Sequence, residues 1–261
     1  MPVHYIEEVL AMHMVVHALV LREVNYKESD KVLTVLTREN GKMTLSAKGC
    51  RKKGSAIAAA SQLLVWSEMT LYEYQGRWAV KEANTDREFA GMRADLEKLA
   101  LGCYFAEMAE LLTVEDVPAP ELLSLLLNSL HALDKMDKPT ALIKAAFEWK
   151  AMCLAGYEPL LDTCAVCGEE PEQPLFNLSE GVLHCPACRE EVGEGISMPL
   201  TPAALSALRH VAYGDPKRLF SFQLDEVSLQ QLGDTGEAYV LTQLERGFGT
   251  LDFYKQMRLP T

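Results

Sequence analysis

The stretch "KVLTVLTRENGKMTLSAKG", residues 31–49, decides the fold of the N-terminal part of this chain. Val32, Thr34 and Leu36 alternate with Leu33, Val35 and Thr37, so β-branched residues line both faces of an extended segment. It breaks at Asn40 and Gly41, a pair that readily takes positive φ, and "KMTLSAKG" runs back. The pattern predicts a hairpin with a tight two-residue turn and Thr37 close to Met43. Outward from it, residues 15–24, "VVHALVLREV", form a strand joined to the hairpin by the polar turn "NYKESD". Downstream, "SAIAAASQ" is helical or irregular, "LLVWSEMTLYEYQ" is a long strand, Gly76 turns the chain, and "RWAVKEA" is a fifth strand. Five short strands with one insert after the third fit an OB-fold barrel, and periodicity alone admits an SH3-like barrel as well.

After about residue 88 the texture changes. Leu96, Leu99, Cys103, Ala106 and Ala109 recur three to four apart and predict an amphipathic helix. "PELLSLLLNSLHALDKM" and "KPTALIKAAFEWKAMCLAGY" follow, each with proline near its first turn, and Gly156 closes the second. "TPAALSALRHVAYG" and "TGEAYVLTQLERGFG" are later helices. The leucine stripes read as core. The expected fold is therefore α+β and multidomain: residues 15–87 an OB-fold β-barrel, then residues 88–261 a helical domain with a cysteine-bearing insert, 163–190, too poor in apolar residues for a core of its own. Residues 1–14 read as an N-terminal extension, with Met1, Met12 and Met14 as the candidate initiators.

The 261 residues carry a net charge of −12, unevenly distributed. Residues 1–87 hold 12 Lys and Arg against 10 Asp and Glu, whereas residues 88–261 hold 13 against 27. Between Asn40 and Ser67 stand Lys42, Lys48, Arg51, Lys52 and Lys53 and no acid. Arg22, Lys31, Arg38, Arg77 and Lys81 also fall on predicted strands or turns, interleaved with Tyr26, Tyr72, Tyr74 and Trp78. Cations that track phosphates and aromatics that stack on bases are how small barrels hold oligonucleotides. A charge run taken alone is equally an ordinary solvated face. No apolar run reaches about 18 residues, and Glu7 and Glu8 stand where a signal peptide needs a basic start, so no membrane contact and a cytoplasmic location are expected. Walker, GxGxxG, GxSxG and HExxH motifs are missing, and "EDVPAPE", residues 115–121, reads as an acidic loop between helices. No enzyme chemistry is evident.

Four of seven cysteines form two pairs: Cys164-x2-Cys167, seventeen residues, then Cys185-x2-Cys188. That spacing matches a four-thiolate site for one structural zinc ion. Gly168 suits the knuckle turn after the first pair. A redox dithiol would need only one pair, and neither pair is expected at a strand-to-helix junction. His184 could replace a ligand but reads as solvent-facing, and Cys50, Cys103 and Cys153 read as packed residues.

The stretch "ALVLREVNYKESDKVLTVLTRENGKMTLSAKGCRKKGS" resembles the N-terminal region of the bacterial RecO family, in which a strand, Tyr-x-Glu-x-Asp, Thr-Arg-Glu-x-Gly-Lys and a basic Ala-Lys-Gly loop follow one another. "AFEWKAMCLAGYEPLLDTCAVCG" is similar to a second signature, a helix ending in Gly-Tyr-x-Pro before a Cys-x-x-Cys-Gly knuckle, and "GTLDFYKQM" to the family's closing segment. The resemblance spans residues 15–258. It implies an OB-fold, a helical C-terminal domain and an embedded zinc site in a mediator of recombinational DNA repair. Such a protein binds single- and double-stranded DNA, anneals complementary strands, binds RecR, and helps RecA displace single-strand-binding protein, whose acidic C-terminal tail docks on it. By position the resemblance puts Arg22, Lys42, Lys48, Arg51, Lys52 and Lys53 on the DNA-contacting surface. Lys144, Lys150, Arg209 and Arg218 are candidates for the acidic tail. Two other classes fit part of the pattern: a zinc-ribbon adaptor between proteins that never touches nucleic acid, and a thiol oxidoreductase.

Overall fold

The computed structural model of the protein describes residues 13–258, so of the expected extension only His13 and Met14 are described, both inside the first strand. The chain is α+β and divides into two compact units. One runs up to Phe89 and takes in Thr113–Pro120; the other comprises Ala90–Leu112 and the chain from Glu121 onward.

In the first unit β1 (His13–Tyr26), β2 (Asp30–Thr37), β3 (Gly41–Ala47), β4 (Trp66–Tyr74) and β5 (Arg77–Arg87) form a closed barrel in the order β1-β2-β3-β5-β4, with β4 paired back to β1. Every pairing is antiparallel except β3 with β5, which is parallel and limited to Leu45 opposite Trp78 and Ser46 opposite Ala79. This is an OB-like barrel. β3 alternates buried and less buried positions, as a strand with one face on a core must. Val16, Val20, Leu33, Val35, Met43, Leu45, Met69 and Leu71 fill that core. Cys50, Ile57 and Ala60 plug it from the connection between β3 and β4. That connection is a chain of turns rather than a helix: the N–H groups of Lys52, Ser55, Ala58 and Gln62 each bond a carbonyl three residues back.

The hairpin turn differs from its expected form. Val35 lies opposite Met43 and Thr37 opposite Gly41, leaving Arg38, Glu39 and Asn40 as a three-residue loop, and of the expected pair only Gly41 has positive φ, at 70°. The Thr37 hydroxyl makes the difference, accepting the Asn40 N–H at 2.9 Å and donating to the Gly41 carbonyl at 2.9 Å. Gly41 is constrained a second time, because a Cβ there would sit 2.0 Å from the Val117 carbonyl oxygen. The acidic loop between helices belongs to this unit and runs beside the first half of β3, which β5 does not reach. The Asp116 N–H bonds the Lys42 carbonyl at 3.0 Å, the Lys42 ammonium donates to the Thr113 carbonyl at 2.6 Å, and the Thr44 hydroxyl meets Glu115 at 3.2 Å.

The second unit contains α1 (Ala90–Arg93), α2 (Leu96–Leu112), α3 (Pro120–Lys135), α4 (Thr140–Leu154), α5 (Pro202–Tyr213), α6 (Glu226–Leu244) and α7 (Gly249–Arg258). A small sheet of order β7-β6-β8, from β6 (Leu175–Asn177), β7 (Val182–His184) and β8 (Ser197–Pro199), lies in the insert. The predicted helix is present as α2, without the single apolar stripe that its spacing predicts. Residues 100–102, 104–106, 108 and 109 are all buried, whereas Leu96 is 57% exposed, because α2 is a central helix covered on several sides. Phe105 stacks on Phe147 of α4 with ring centroids 4.0 Å apart. Phe176 of β6 meets Trp149 and Tyr239 edge-on, so the insert borrows the helical core. Among the described residues no helix is long and apolar enough to cross a membrane.

Gly41→Ala is expected to destabilise the barrel by about 3 kcal/mol or more, since it adds a steric clash to a left-handed backbone. Gly54→Ala, at φ 78° with open space around it, should cost only about 1 kcal/mol. Urea midpoints of the two variants measure the difference.

A candidate nucleic-acid interface and a candidate metal centre

The barrel's closure brings three turns to one end. A cleft of about 370 Å³ opens there between the β1–β2 turn, the end of β3 and the β4–β5 turn. Lys48 and Arg77 stand exposed on its margin. Lys27, which the sequence reading omitted, joins them; its signal was its place beside Tyr26 in "NYKESD", and its ammonium lies 5.2 Å from that ring's centroid. Lys48 holds its ammonium 5.7 Å from Tyr72 and 5.9 Å from Tyr74. The remaining loop cations, Arg51, Lys52 and Lys53, are exposed on the segment that follows Gly49.

One carboxylate ties this basic loop to the barrel. Asp30 accepts the Gly49 N–H at 2.7 Å and the Ser29 hydroxyl at 3.1 Å, while the Arg51 N–H bonds the Ser29 carbonyl at 2.9 Å. The Gly49 hydrogen bond, with Ser29, Lys27 and Lys52 adding to it against partial desolvation, holds the Asp30 carboxyl below the usual aspartate range.

The other predicted cations are placed differently. Lys31 also lines the cleft, but its ammonium is bound by Glu23 at 2.8 Å and by the Ser61 carbonyl at 3.3 Å. Lys42 is committed to Thr113, as described above. Arg22 donates to the Thr34 hydroxyl at 3.0 Å. Arg38 lies 5.7 Å from the Trp66 ring centroid, beside His17, and does not line the cleft. In the helical unit Lys144 is buried between Glu148 at 2.8 Å and Glu237 at 2.9 Å, so it is no surface cation. Lys150 donates to the Ala212 carbonyl, and Arg209 to Glu170 and the Leu161 and Asp162 carbonyls. Of those four, Arg218 lines a groove of about 460 Å³, beside His131, Met136, Lys138, Lys217 and Phe220.

In the insert the sulfurs of Cys164, Cys167, Cys185 and Cys188 all lie within 4.8 Å of one another, which can hold one metal ion. Gly168, at φ 77°, closes the first knuckle by bonding its N–H to the Cys164 carbonyl at 2.9 Å. The Cys185 N–H points at the Cys164 sulfur, 3.4 Å away. Burial opposes ionisation of the Cys164 thiol, but the N–H groups of Cys167, Cys185 and Val166 outweigh it and bring the thiol down to about 6. Burial and the neighbouring sulfurs push Cys185 up to about 12 and Cys188 up to about 11.

The centre differs from its expected form at His184 and at the second cysteine pair. His184 is fully buried rather than solvent-facing, with Nδ1 2.9 Å from the Cys185 carbonyl and Nε2 2.8 Å from the Ser197 hydroxyl. It fastens β7 to β8 and is absent from the sulfur cluster. The second cysteine pair does follow a strand, β7, and opens a 3-10 turn, Pro186–Glu191. Junction geometry therefore cannot argue against a dithiol, and the convergence of four sulfurs carries the metal reading. The lone cysteines are packed: burial raises the Cys50 and Cys103 thiols and pushes Cys153 up to about 11.

A family model described as "Recombination protein O N terminal" matches residues 12–85, and one described as "Recombination protein O C terminal" matches residues 93–252. The chain belongs to the RecO family. Curated relatives named DNA repair protein RecO include that of Acetivibrio thermocellus, 30% identical over 92% of this chain and 95% of the relative. The RecO of Myxococcus xanthus is 37% identical over 76% of this chain and 80% of its own. That of Symbiobacterium thermophilum is 29% identical over 93% and 97%.

Asp30→Ala should release the basic loop without unfolding the barrel, and amide hydrogen exchange at Gly49 and Arg51 reads it out. Because the folded-state carboxyl titrates below its ordinary value of 3.8, the clamp is complete above that pH and weakens as pH falls through the lowered value. Protection at Gly49 in the wild type is expected to fade over that acid window and to be missing at every pH in Asp30→Ala.

Proposed function

We propose that this chain is a DNA-binding mediator of recombinational repair acting in the cytoplasm at the nucleoid. It holds single- and double-stranded DNA on the barrel, anneals complementary strands, and works with RecR to load RecA onto strands covered by single-strand-binding protein. The observation that carries the reading is the gathering of Lys27, Lys48, Arg51, Lys52, Lys53 and Arg77 beside Tyr26, Tyr74 and Trp78 at one end of the barrel of a strongly acidic chain. A focused positive surface in an acidic protein suits a polyanion. Annealing needs no active-site residue here: cations screen strand–strand repulsion, and base pairing supplies the free energy.

The Arg218 groove supports a place for the acidic tail of single-strand-binding protein. Met136 and Phe220 offer apolar contact, while Lys138, Lys217 and Arg218 supply positive charge in the acidic part of the chain. For the cysteine centre we propose one structural Zn²⁺. Zn–S bonds of about 2.3 Å give a tetrahedral S···S edge of about 3.8 Å, and Cys167 and Cys185 have their sulfurs 3.8 Å apart. Four crowded thiols cannot all ionise without a cation among them, and a bound zinc would supply that charge.

Anisotropy of a labelled single strand across a salt series tests the main reading. Neutralising about five phosphates gives a log-log slope of about −3 to −4. Arg51→Glu/Lys52→Glu/Lys53→Glu should abolish most of the binding with zinc content unchanged, whereas Lys42→Met should lower stability more than affinity. A folded, zinc-loaded wild type that ignores DNA at low salt would favour the protein–protein adaptor. Elemental analysis should find one zinc per chain, and Cys164→Ser should lose it together with the thermal stability of the helical unit.

A further inference from the structure

The cleft at the end of the barrel is layered. Its margin is exposed and carries Tyr26, Lys27, Lys48, Tyr74 and Arg77, with Tyr74 61% exposed. Its floor is Trp78, half-buried and packed against the barrel core, with Ala79, Ser46 and the Asp30 and Lys31 side chains. The Lys31 ammonium is neutralised by Glu23, so the floor offers no unbalanced positive charge, and the Asp30 carboxylate there repels a phosphate. Free cations stand only on the margin.

This arrangement has a polarity that fits one nucleotide in one orientation. The sugar-phosphate belongs on the margin, where Lys27, Lys48 and Arg77 meet it, and the uncharged base belongs inside against the aromatic wall. A volume of about 370 Å³ is near the lower bound of small-ligand sites, about 300 Å³. Gln75 and Gly76, at φ 52° and 71°, are the two central residues of the β4–β5 hairpin turn and set Tyr74 opposite Arg77 at the cleft's mouth.

We propose that this cleft receives a single unpaired base, seated on Trp78 and flanked by Tyr74, and that it makes the protein prefer single strands to duplex DNA. The inference rests on the DNA-binding reading above. A base inside a duplex is already stacked and paired and cannot enter without being extruded, whereas a base in a single strand presents a free π-face. Duplex DNA then touches only the margin and the Arg51–Lys53 loop.

The test uses the full chain, a labelled single-stranded oligonucleotide, and a dumbbell duplex closed at both ends by hexaethylene glycol linkers, so that it carries no unpaired base. Tyr74→Ala, an exposed site, and Trp78→Leu are compared with the wild type, and thermal midpoints verify that each variant is folded. Loss of one base–aromatic contact is worth about tenfold in affinity, so each variant should bind the single strand about tenfold more weakly and the dumbbell within twofold of the wild type. Trp78→Phe keeps a stacking face; it should retain binding and lose the tryptophan quenching that a single strand, and not the dumbbell, produces in the wild type. Equal losses on both ligands, or no loss on either, would overturn the base pocket while leaving DNA binding in place. A wild type that binds neither ligand would instead overturn the reading on which it rests.

Discussion

Two residue pairs, Leu45 with Trp78 and Ser46 with Ala79, close the barrel, and the candidate interface depends on that closure. A parallel contact this short contributes little by itself. It has consequences because it fixes the end of β3 beside the start of β5, and so places the β4–β5 turn next to the β1–β2 turn and the basic loop. Residues 26–31, 46–48 and 74–79, distant in sequence, become the walls of one cleft. Trp78 serves both roles, pairing with Leu45 and walling the cleft, so the interface is built on a rigid element rather than on loops alone.

Charge is managed differently in the helical unit. Glu148 is fully buried, accepts from the Tyr104 hydroxyl at 2.8 Å, and pairs with Lys144, which also bridges to Glu237; Lys255 completes the group. Burial favours the neutral forms and raises the Glu148 carboxyl. It would also strip Lys144 of its proton, but Glu148 and Glu237 outweigh it and hold the ammonium charged, above the ordinary lysine range. Breaking one partner would strand a buried charge at a cost of about 3–5 kcal/mol. The network favours one arrangement of α2, α4, α6 and α7 over alternatives that leave a member unpaired.

Much of this was legible in the chain and some was not, for physical reasons. Strand positions and the four-cysteine centre were readable because period-2 alternation and ligand spacing are local properties. The Cys164 and Cys185 pairs announce themselves without any knowledge of the fold. Lys42 and Lys144 show the limit: each reads as a surface cation, yet the partner that removes it, Thr113 in one case and Glu237 in the other, is distant in sequence. Glu148, four residues from Lys144 on the same helix, was the visible half of that network. α2 misled through the same blindness, since a helix covered on several sides has no single stripe for periodicity to find. The Asn40–Gly41 turn failed on one hydroxyl, that of Thr37, which competes for the backbone in a way that turn propensities average out.

The strip of chain around Glu115 has a consequence for how the protein can be divided. Residues 41–44 of β3 have no strand beside them on the β5 side, and Lys42 bridges to Glu115 there instead. A fragment cut at the apparent junction near residue 88 would carry all five strands and still be incomplete. It would expose raw backbone donors and acceptors beside Gly41, the kind of edge that recruits a second copy of itself. The barrel's smallest self-sufficient piece is therefore discontinuous in the gene, and excising it cleanly would require grafting residues 113–120 back onto the edge they guard.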